Sequence, residues 1–340
     1  MLWSRRMETV GIMGAGAWGT ALAVVARRAG REASLWAREP EVAAAINGRH
    51  ENPVFLPGIE LDPAIRASTD PAALAGADGI LLAAPAQFLR AAAGSLAAAL
   101  GARRPPVLIC TKGIEAGGAL MTEVVADALP GAPVAVLSGP SFAAEAARGL
   151  PTAVALASTD AALAARFARC LGTPAFRPYL SDDPVGAEAC GAVKNVLAIA
   201  CGIAMGRKLG DNARAALITR GLAEVLRLVL ALGGRAETCM GLAGLGDLTL
   251  TCTGPQSRNL SLGIALGRGR RLGDILAERR SIAEGVPSAA AVMERARRAG
   301  TDMPIVAAVD AVLNRGADID AEIRALLARP VREEFGKQAG

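Results

Sequence analysis

The feature that most constrains the fold lies near the amino end. Thr9-Val10-Gly11-Ile12-Met13 is a short β-prone run, and Gly14-Ala15-Gly16-Ala17-Trp18-Gly19 follows it without a gap. An alanine-rich helical stretch continues from Ala17 to Ala29 and is closed by Gly30. Strand, glycine turn and helix in this order are the setting in which G-x-G-x-x-G binds a dinucleotide. Gly14 permits the tight turn, Gly16 lets the backbone approach a pyrophosphate, and Gly19 lets helix pack on strand. The amino end of the helix, beginning at Ala17, offers unpaired N–H groups and its dipole to the phosphates.

Further strand-like runs follow at Ala33 to Trp36, Gly79 to Ala84, Val107 to Cys110, Val134 to Leu137 and Ala153 to Ala157, spaced by helical segments. This alternation implies an α/β chain with a parallel, doubly wound Rossmann-type sheet. Ligands then sit at the carboxyl ends of strands, where Pro85, Thr111-Lys112-Gly113 and Ser138-Gly139-Pro140-Ser141 should ring the cofactor. The second strand ends in Trp36-Ala37-Arg38-Glu39. Arg38 could receive a 2′-phosphate, which favours NADP, whereas Glu39 could reach a ribose hydroxyl and accommodate NAD.

After Tyr179 to Pro184 the strand signals stop. Asp183 before Pro184 is a helix start with proline at the first position. The boundary is therefore expected there, with residues 1–184 as the dinucleotide-binding domain and 185–340 as an all-α catalytic domain. Helices are expected over 185–206, 211–232 (capped by Asp211), 258–267, 287–299, 304–315 and 319–328, with no internal repeat.

The basic residues point to chemistry. The chain has 33 arginines and only four lysines. Lysine, unlike arginine, can lose its proton when partly buried. Lys112 follows an apolar strand, and Lys194 lies in the apolar stretch Val185 to Gly206. On a helix, Ala187, Gly191 and Ala198 stack above and below Lys194. These small residues leave either a hollow for a ligand or room for close helix packing. An apolar setting lowers the pKa of the amine toward the range a general acid or base needs. Two further segments stand out. Gly241 to Asp247 is glycine-rich and ends in an acid, and Ser257-Arg258-Asn259 combines a helix start with donors suited to a phosphate.

Composition removes several classes. Aromatic residues make up 3% of the chain, so base-stacking platforms are scarce and nucleic acid is not expected as a partner. The net charge of +5 suits a small anionic ligand. Many late arginines (Arg268, Arg270, Arg271, Arg279, Arg280, Arg295, Arg297, Arg298) read as a solvated face. The single histidine, His50, sits in a loop, so neither a histidine metal site nor a histidine triad is expected. Six cysteines without a C-x-x-C pair read as small apolar residues of a reducing cytoplasm. The Val185–Gly206 stretch carries Glu188, Lys194 and Asn195 and reads as a buried helix, not a membrane span. Met1 to Arg6 is too short for a signal peptide.

Together these residues resemble the NAD(P)-dependent glycerol-3-phosphate dehydrogenases of bacterial type, from Met7 to about Ile305. The resemblance rests on Gly14 to Ala23, Leu56-Pro57-Gly58, Thr111 to Glu115, Leu137 to Ala143, Gly191 to Asn195, Gly244 to Leu248, Ser257-Arg258-Asn259 and Ala283-Glu284-Gly285. It implies reduction of dihydroxyacetone phosphate to sn-glycerol 3-phosphate for phospholipid synthesis, with NADP or NAD as cofactor. It implies Lys194 as the proton-transferring residue, oriented by Asp247. Lys112, Gly139, Ser141, Asp247, Ser257, Arg258 and Asn259 would contact substrate. Trp18, Arg38, Lys112, Ala143, Arg258 and Glu284 would contact cofactor. The chain departs from the family at Ala84-Pro85-Ala86, where Val-Pro-Ser is usual, and at Glu39, where a second basic residue often follows Arg38. A cytoplasmic homodimer is expected, the dimer from the apolar helical half. Two rivals share some of these features. Dehydrogenases of hydroxy acids or 6-phosphogluconate usually place an asparagine one turn after the lysine, whereas Asn195 is adjacent. A dinucleotide sensor would need no Lys194, Asp247 and Arg258 together.

Overall fold

The computed structural model describes residues 7–278 and 283–330. Met1 to Arg6, Arg279, Arg280 and the tail from residue 331 lie outside the described residues. Arg329, beside the end of the described residues, pairs with Asp302 at 2.7 Å.

The first strand, β1 (Thr9–Met13), leads through the glycine turn into α1 (Ala17–Arg28) and then β2 (Glu32–Trp36). Next come α2 (Pro40–Arg49), a small hairpin of β3 (Glu51–Asn52) and β4 (Leu56–Glu60), and β5 (Arg66–Ser68). The alternation resumes with β6 (Gly79–Leu82), α3 (Ala86–Leu100), β7 (Val107–Ile109), α4 (Met121–Ala128) and β8 (Val134–Ser138). It closes with α5 (Ala143–Arg148), β9 (Thr152–Ala157), α6 (Ala161–Leu171) and β10 (Phe176–Ser181). Eight strands form one sheet in the order β10-β9-β8-β7-β6-β1-β2-β5.

Alternate residues of each strand face opposite sides, as a two-residue period requires. Ile12, Leu81 and Leu108 pack under α1 and α6, while Met13, Leu82 and Ile109 pack against α3 and α4. The expected sheet is therefore present, with one departure: β9 runs antiparallel to β8. The connector accounts for it. The six-residue α5 is only about 9 Å long, too short to carry the chain back to the start of a parallel strand. The 11-residue α6 spans about 16 Å, and β10 accordingly pairs parallel to β9.

Every described element from Pro184 onward is helical. The long α7 (Pro184–Gly206) begins as expected, with the Asp183 carboxylate accepting from Gly186 N at 2.8 Å. It is followed by α8 (Asp211–Ala231), α9 (Ala236–Met240), a π-turn over Leu242–Gly246, and α10 (Asp247–Thr253). Then come α11 (Arg258–Gly267), α12 (Leu272–Ala277), α13 (Gly285–Arg298), α14 (Pro304–Arg315) and α15 (Ile319–Leu327). Asp211 is not the cap of α8: Gly210 holds that place, and Asp211 pairs with Arg214 one turn on.

The helix α7 is long and apolar enough to cross a membrane, but 89% of its most apolar window is buried inside the fold. It is the axis of the second core. It meets α11 backbone to backbone: a Cβ on Gly202 would lie 2.8 Å from Gly263 Cα, and one on Gly206 2.8 Å from Gly267 Cα. All six cysteines are free and buried, as expected of small apolar residues. The late arginines are mostly exposed, but Arg295 departs from that reading and pairs with Glu123 of α4 at 2.9 Å.

Candidate active site

At the carboxyl end of β1 the turn is as tight as its glycines allow. Gly14 has φ +121°, and a Cβ there would lie 2.8 Å from Ala84 N. A Cβ on Gly19 would fall 1.8 Å from the Gly14 carbonyl oxygen, so no larger residue fits between turn and helix. Outside Gly16, by contrast, a Cβ would meet nothing within 4 Å. That open side, facing the first amides of α1, suits the approach of a pyrophosphate. Trp18, at the second position of α1, has a buried Nε1 without an acceptor. At the end of β2, Arg38 is exposed and donates to Glu39 at 2.6 Å, and its guanidinium lies 5.9 Å from the centre of the exposed Phe88 ring. These features fit a bound dinucleotide.

Two loops beside this turn converge on the helical half. Lys112, between β7 and α4, donates to Gly139 O at 2.6 Å, Ser141 Oγ at 3.2 Å and Asp247 Oδ2 at 2.8 Å. Gly139 takes φ +136°, which turns its carbonyl toward that amine in a conformation that favours glycine. Lys194, on α7, donates to the other oxygen of Asp247 at 2.6 Å and to Thr251 Oγ1 at 2.9 Å. Thr251 in turn donates to the Asp247 carbonyl at 2.6 Å, one turn back on α10. The π-turn ahead of α10 brings Asp247 into this position, 1% exposed.

Burial pushes the Lys194 amine down to about 8, with the nearby Lys112 charge acting in the same sense and Asp247 opposing both. Burial pushes the Asp247 carboxyl up, but the two ammoniums outweigh it and hold the group below the ordinary carboxylate range. On the Gly191 side of Lys194 the small residue permits close packing: a Cβ there would lie 3.6 Å from the Lys112 stem and 3.0 Å from Ser138 Oγ.

A hydrogen-bonded relay ties the remaining candidates to this pair. Asn195 Nδ2 donates to the Lys112 carbonyl at 3.4 Å, Asn259 Nδ2 donates to Asn195 Oδ1 at 2.9 Å, and Gly285 N donates to Asn259 Oδ1 at 3.0 Å. Ser257 caps α11, accepting from Leu260 N, and Arg258 follows it, exposed. Glu284 is half-buried, and its Oε2 is enclosed without a donor. Burial raises its carboxyl to about 7, against the pull of the Arg258 charge. Ala143 opens α5, whose Glu145 accepts from Gln256 at 2.6 Å, one residue before Ser257. Lys112, Gly139, Ser141, Lys194 and Asp247 thus meet directly, and Asn259 joins them through Asn195. Arg38 stands apart, with Phe88, at the end of β2. Reading the chain alone did not single out Thr251, Phe88 or the Asn195–Asn259 link. Only the placement of Thr251 four residues after Asp247, on one helix face, hints at its role.

A dinucleotide turn on a Rossmann-type sheet, with a lysine–aspartate–lysine cluster where its loops meet the helical half, is the arrangement of a dinucleotide-dependent oxidoreductase. The family described as NAD-dependent glycerol-3-phosphate dehydrogenase N-terminus matches residues 9–164, and its C-terminus counterpart matches residues 183–324. A glycerol-3-phosphate dehydrogenase [NAD(P)+] of Rhodospirillum rubrum is 57% identical over 335 residues, covering 98% of this chain and 96% of that protein. The enzyme of the same name from Caulobacter vibrioides is 58% identical over 328 residues, covering 96% and 99%. The crystal structure of glycerol-3-phosphate dehydrogenase from Coxiella burnetii superposes with a TM-score of 0.91 at 40% identity, covering 95% of this chain and 99% of that one. The chain belongs to the NAD-dependent glycerol-3-phosphate dehydrogenase family.

Proposed function

We propose that the protein reduces dihydroxyacetone phosphate to sn-glycerol 3-phosphate, with Lys194 giving the proton to the C2 oxygen. The observation that carries this reading is the difference between the two lysines. An ammonium has three N–H donors. All three of Lys112 have protein acceptors, which makes it a fixed positive charge. Lys194 uses two, on Asp247 and Thr251, and its third serves the substrate oxygen. With its pKa near 8, Lys194 is charged at neutral pH yet gives up a proton readily. Such general acid help contributes roughly 10²–10⁴ in rate.

The dinucleotide, when bound, supplies the hydride. Gly14, Gly16 and Gly19, with the amides from Ala17 and Trp18, hold its pyrophosphate. Arg38 takes a 2′-phosphate in exchange for Glu39, so NADP is used somewhat better than NAD. Ala143, Glu284 and Lys112 bound the other end of the dinucleotide. Ser257, Arg258 and Asn259 grip the substrate phosphate through the start of α11, while Gly139 and Ser141 line the substrate beside Lys112. Asp247 keeps Lys194 charged and aimed. The division of labour falls at Pro184, between residues 1–184, which bind cofactor, and 185–340, which carry the proton donor. The product feeds phospholipid synthesis, and the protein works as a cytoplasmic homodimer, a state suggested by its apolar helical half.

The test is NADPH absorbance at neutral pH with dihydroxyacetone phosphate added, beside a panel of other phosphorylated ketones and of the keto acids that correspond to the hydroxy acids. Rapid oxidation with dihydroxyacetone phosphate alone is expected. Oxidation only with a keto acid, or none at all, refutes the assignment.

A further inference from the structure

We propose that Glu188 is a positioning residue for this reaction: it holds the amino end of α4, and through it the Lys112 segment, against the helix that carries Lys194. The proposal rests on the reading of Lys194 as proton donor given above.

Glu188 is 4% exposed, six residues ahead of Lys194 on α7. Its Oε1 accepts from Thr122 N at 2.8 Å and its Oε2 from Thr122 Oγ1 at 2.7 Å, while Met121 N adds a further bond. These donors form the first turn of α4, whose orphan amides need an acceptor. The local residue is of no use, because the cap position is Leu120, which has no polar side chain. Of the backbone amides here Glu123 takes that of Leu120, at 2.8 Å, and leaves those of Met121 and Thr122. The cap for α4 therefore comes from a residue 66 positions away, on the other half of the molecule. A serine or aspartate at position 120 would cap the helix at less cost. A cap supplied by α7 also joins two elements.

The join lies on a single face. Glu188, Gly191 and Asn195 follow one another at spacings of three and four, so they form one stripe of α7. Glu188 takes the far end of the segment between β7 and α4. Gly191 receives the stem of Lys112, to within 3.6 Å of where its Cβ would be, and Asn195 donates to the Lys112 carbonyl. Two more contacts brace α4 from the helical half: Arg295 of α13 pairs with Glu123, and its guanidinium also donates to Gly118 O. The segment bearing one lysine is thus docked along the helix bearing the other, and Asp247 closes the bridge between their amines.

This docking has a chemical consequence. The Lys112 charge helps depress Lys194, and Lys112 claims one oxygen of Asp247. If the segment loosens, Lys194 loses a like-charged neighbour and gains a larger share of the carboxylate. Both changes raise its pKa. The other groups facing Lys194 are Cys252, which stays put, and Thr251. Glu188 itself faces Thr122 and, more distantly, Glu123, whose negative charge adds to its burial in raising its carboxyl to about 7.

The experiment uses the full chain with Glu188→Gln, which keeps the shape but replaces one acceptor by a donor. The pH dependence of kcat/KM for dihydroxyacetone phosphate is measured at saturating NADPH. The expected result is a basic limb displaced upward by about one pH unit, with kcat/KM at neutral pH lowered roughly tenfold to a hundredfold by misplacement of the site. A lowered melting temperature with the basic limb unmoved would mean that Glu188 only supports the fold, and would overturn the proposal. Should Glu188→Gln prove insoluble, Thr122→Val decides in its place. It removes the hydroxyl donor and leaves the amide, so a smaller upward shift supports the proposal and an unmoved limb overturns it. Were the unaltered protein unable to oxidise NADPH with this substrate, the functional reading itself would fail and the proposal with it. An active parent beside an unshifted variant rejects the proposal alone.

Discussion

Asp247→Asn would leave two ammonium groups, Lys194 buried and Lys112 half-buried, facing a neutral amide. In the native protein the carboxylate is 1% exposed and meets Lys112 at 2.8 Å and Lys194 at 2.6 Å. At an effective dielectric of about 20, each contact supplies on the order of 6 kcal/mol of gross attraction. Most of it is offset by the several kcal/mol needed to strip water from each ion. Asparagine preserves the shape and leaves that desolvation uncompensated, so a loss of about 3–5 kcal/mol is expected at neutral pH. The pH dependence is the distinguishing feature. The folded-state pKa of Lys194, about 8, lies below its ordinary 10.5, so the unfolded chain binds more protons over that interval. Stability therefore rises with pH across it. Without Asp247 to oppose burial, the interval extends to lower pH. Asp247 works in the other direction: its folded-state pKa lies below the ordinary 3.8, so the stability it contributes is present above that value and lost on acidification. The deficit of the variant should therefore be smallest in alkali, where Lys194 is neutral, and grow as the pH falls through neutrality toward about 5, Asp247 of the parent staying ionised throughout. Urea midpoints of parent and variant at about pH 5, 7 and 10 measure it. A variant as stable as its parent at neutral pH, or a deficit that does not change across the three, would refute the reasoning.

Lys194→Ala should lose roughly 10²–10⁴ in kcat while NADPH binding, followed by fluorescence titration, is retained. Lys194→Arg should be nearly as slow, because the guanidinium does not release a proton. Arg38→Ala should raise KM for NADPH about tenfold or more and leave KM for NADH nearly unchanged, as expected for a charged hydrogen bond to the 2′-phosphate; equal effects on both cofactors would contradict that role. Gly19→Ala, whose Cβ would fall 1.8 Å from the Gly14 carbonyl oxygen, should lower stability by about 1–3 kcal/mol and weaken both dinucleotides, read by thermal melts with and without cofactor.

The parts of the molecule legible in the chain are those with local signatures. The glycine turn, the β-prone runs of the sheet interior and Asp183-Pro184 at the head of α7 each act over a few residues. Scarcity made Lys112 and Lys194 visible in a chain that otherwise uses arginine. The short outer strands β3, β4 and β5 escaped notice because two to five residues carry little periodicity, and β10 because Pro178 and exposed Tyr179 and Leu180 break the apolar pattern. The direction of β9 was missed because it depends on the length of α5, which no strand residue reports. Thr251 and the Asn195–Asn259 link were hidden for another reason: their partners lie 57 and 64 residues away. Glycines between Gly241 and Gly246 marked a special backbone, but not that a π-turn would swing Asp247 between two amines.

The reversal at β9 decides where α7 begins. Because β9 and β10 run against the other six strands of the sheet, Ser181 lies level with Ala157, which stands beside Val136 rather than beyond Ser138. The chain therefore enters its longest helix from the lower rim of the sheet and climbs. Ten residues of helix raise it about 15 Å, close to the height of a five-residue strand. By that point α7 has reached the upper rim, where the glycine turn and the β7 and β8 loops end. Lys194 is the side chain that arrives there. A connector between β8 and β9 one or two turns longer would have sent the helix off from the top of the sheet, carrying its amine away from the cleft.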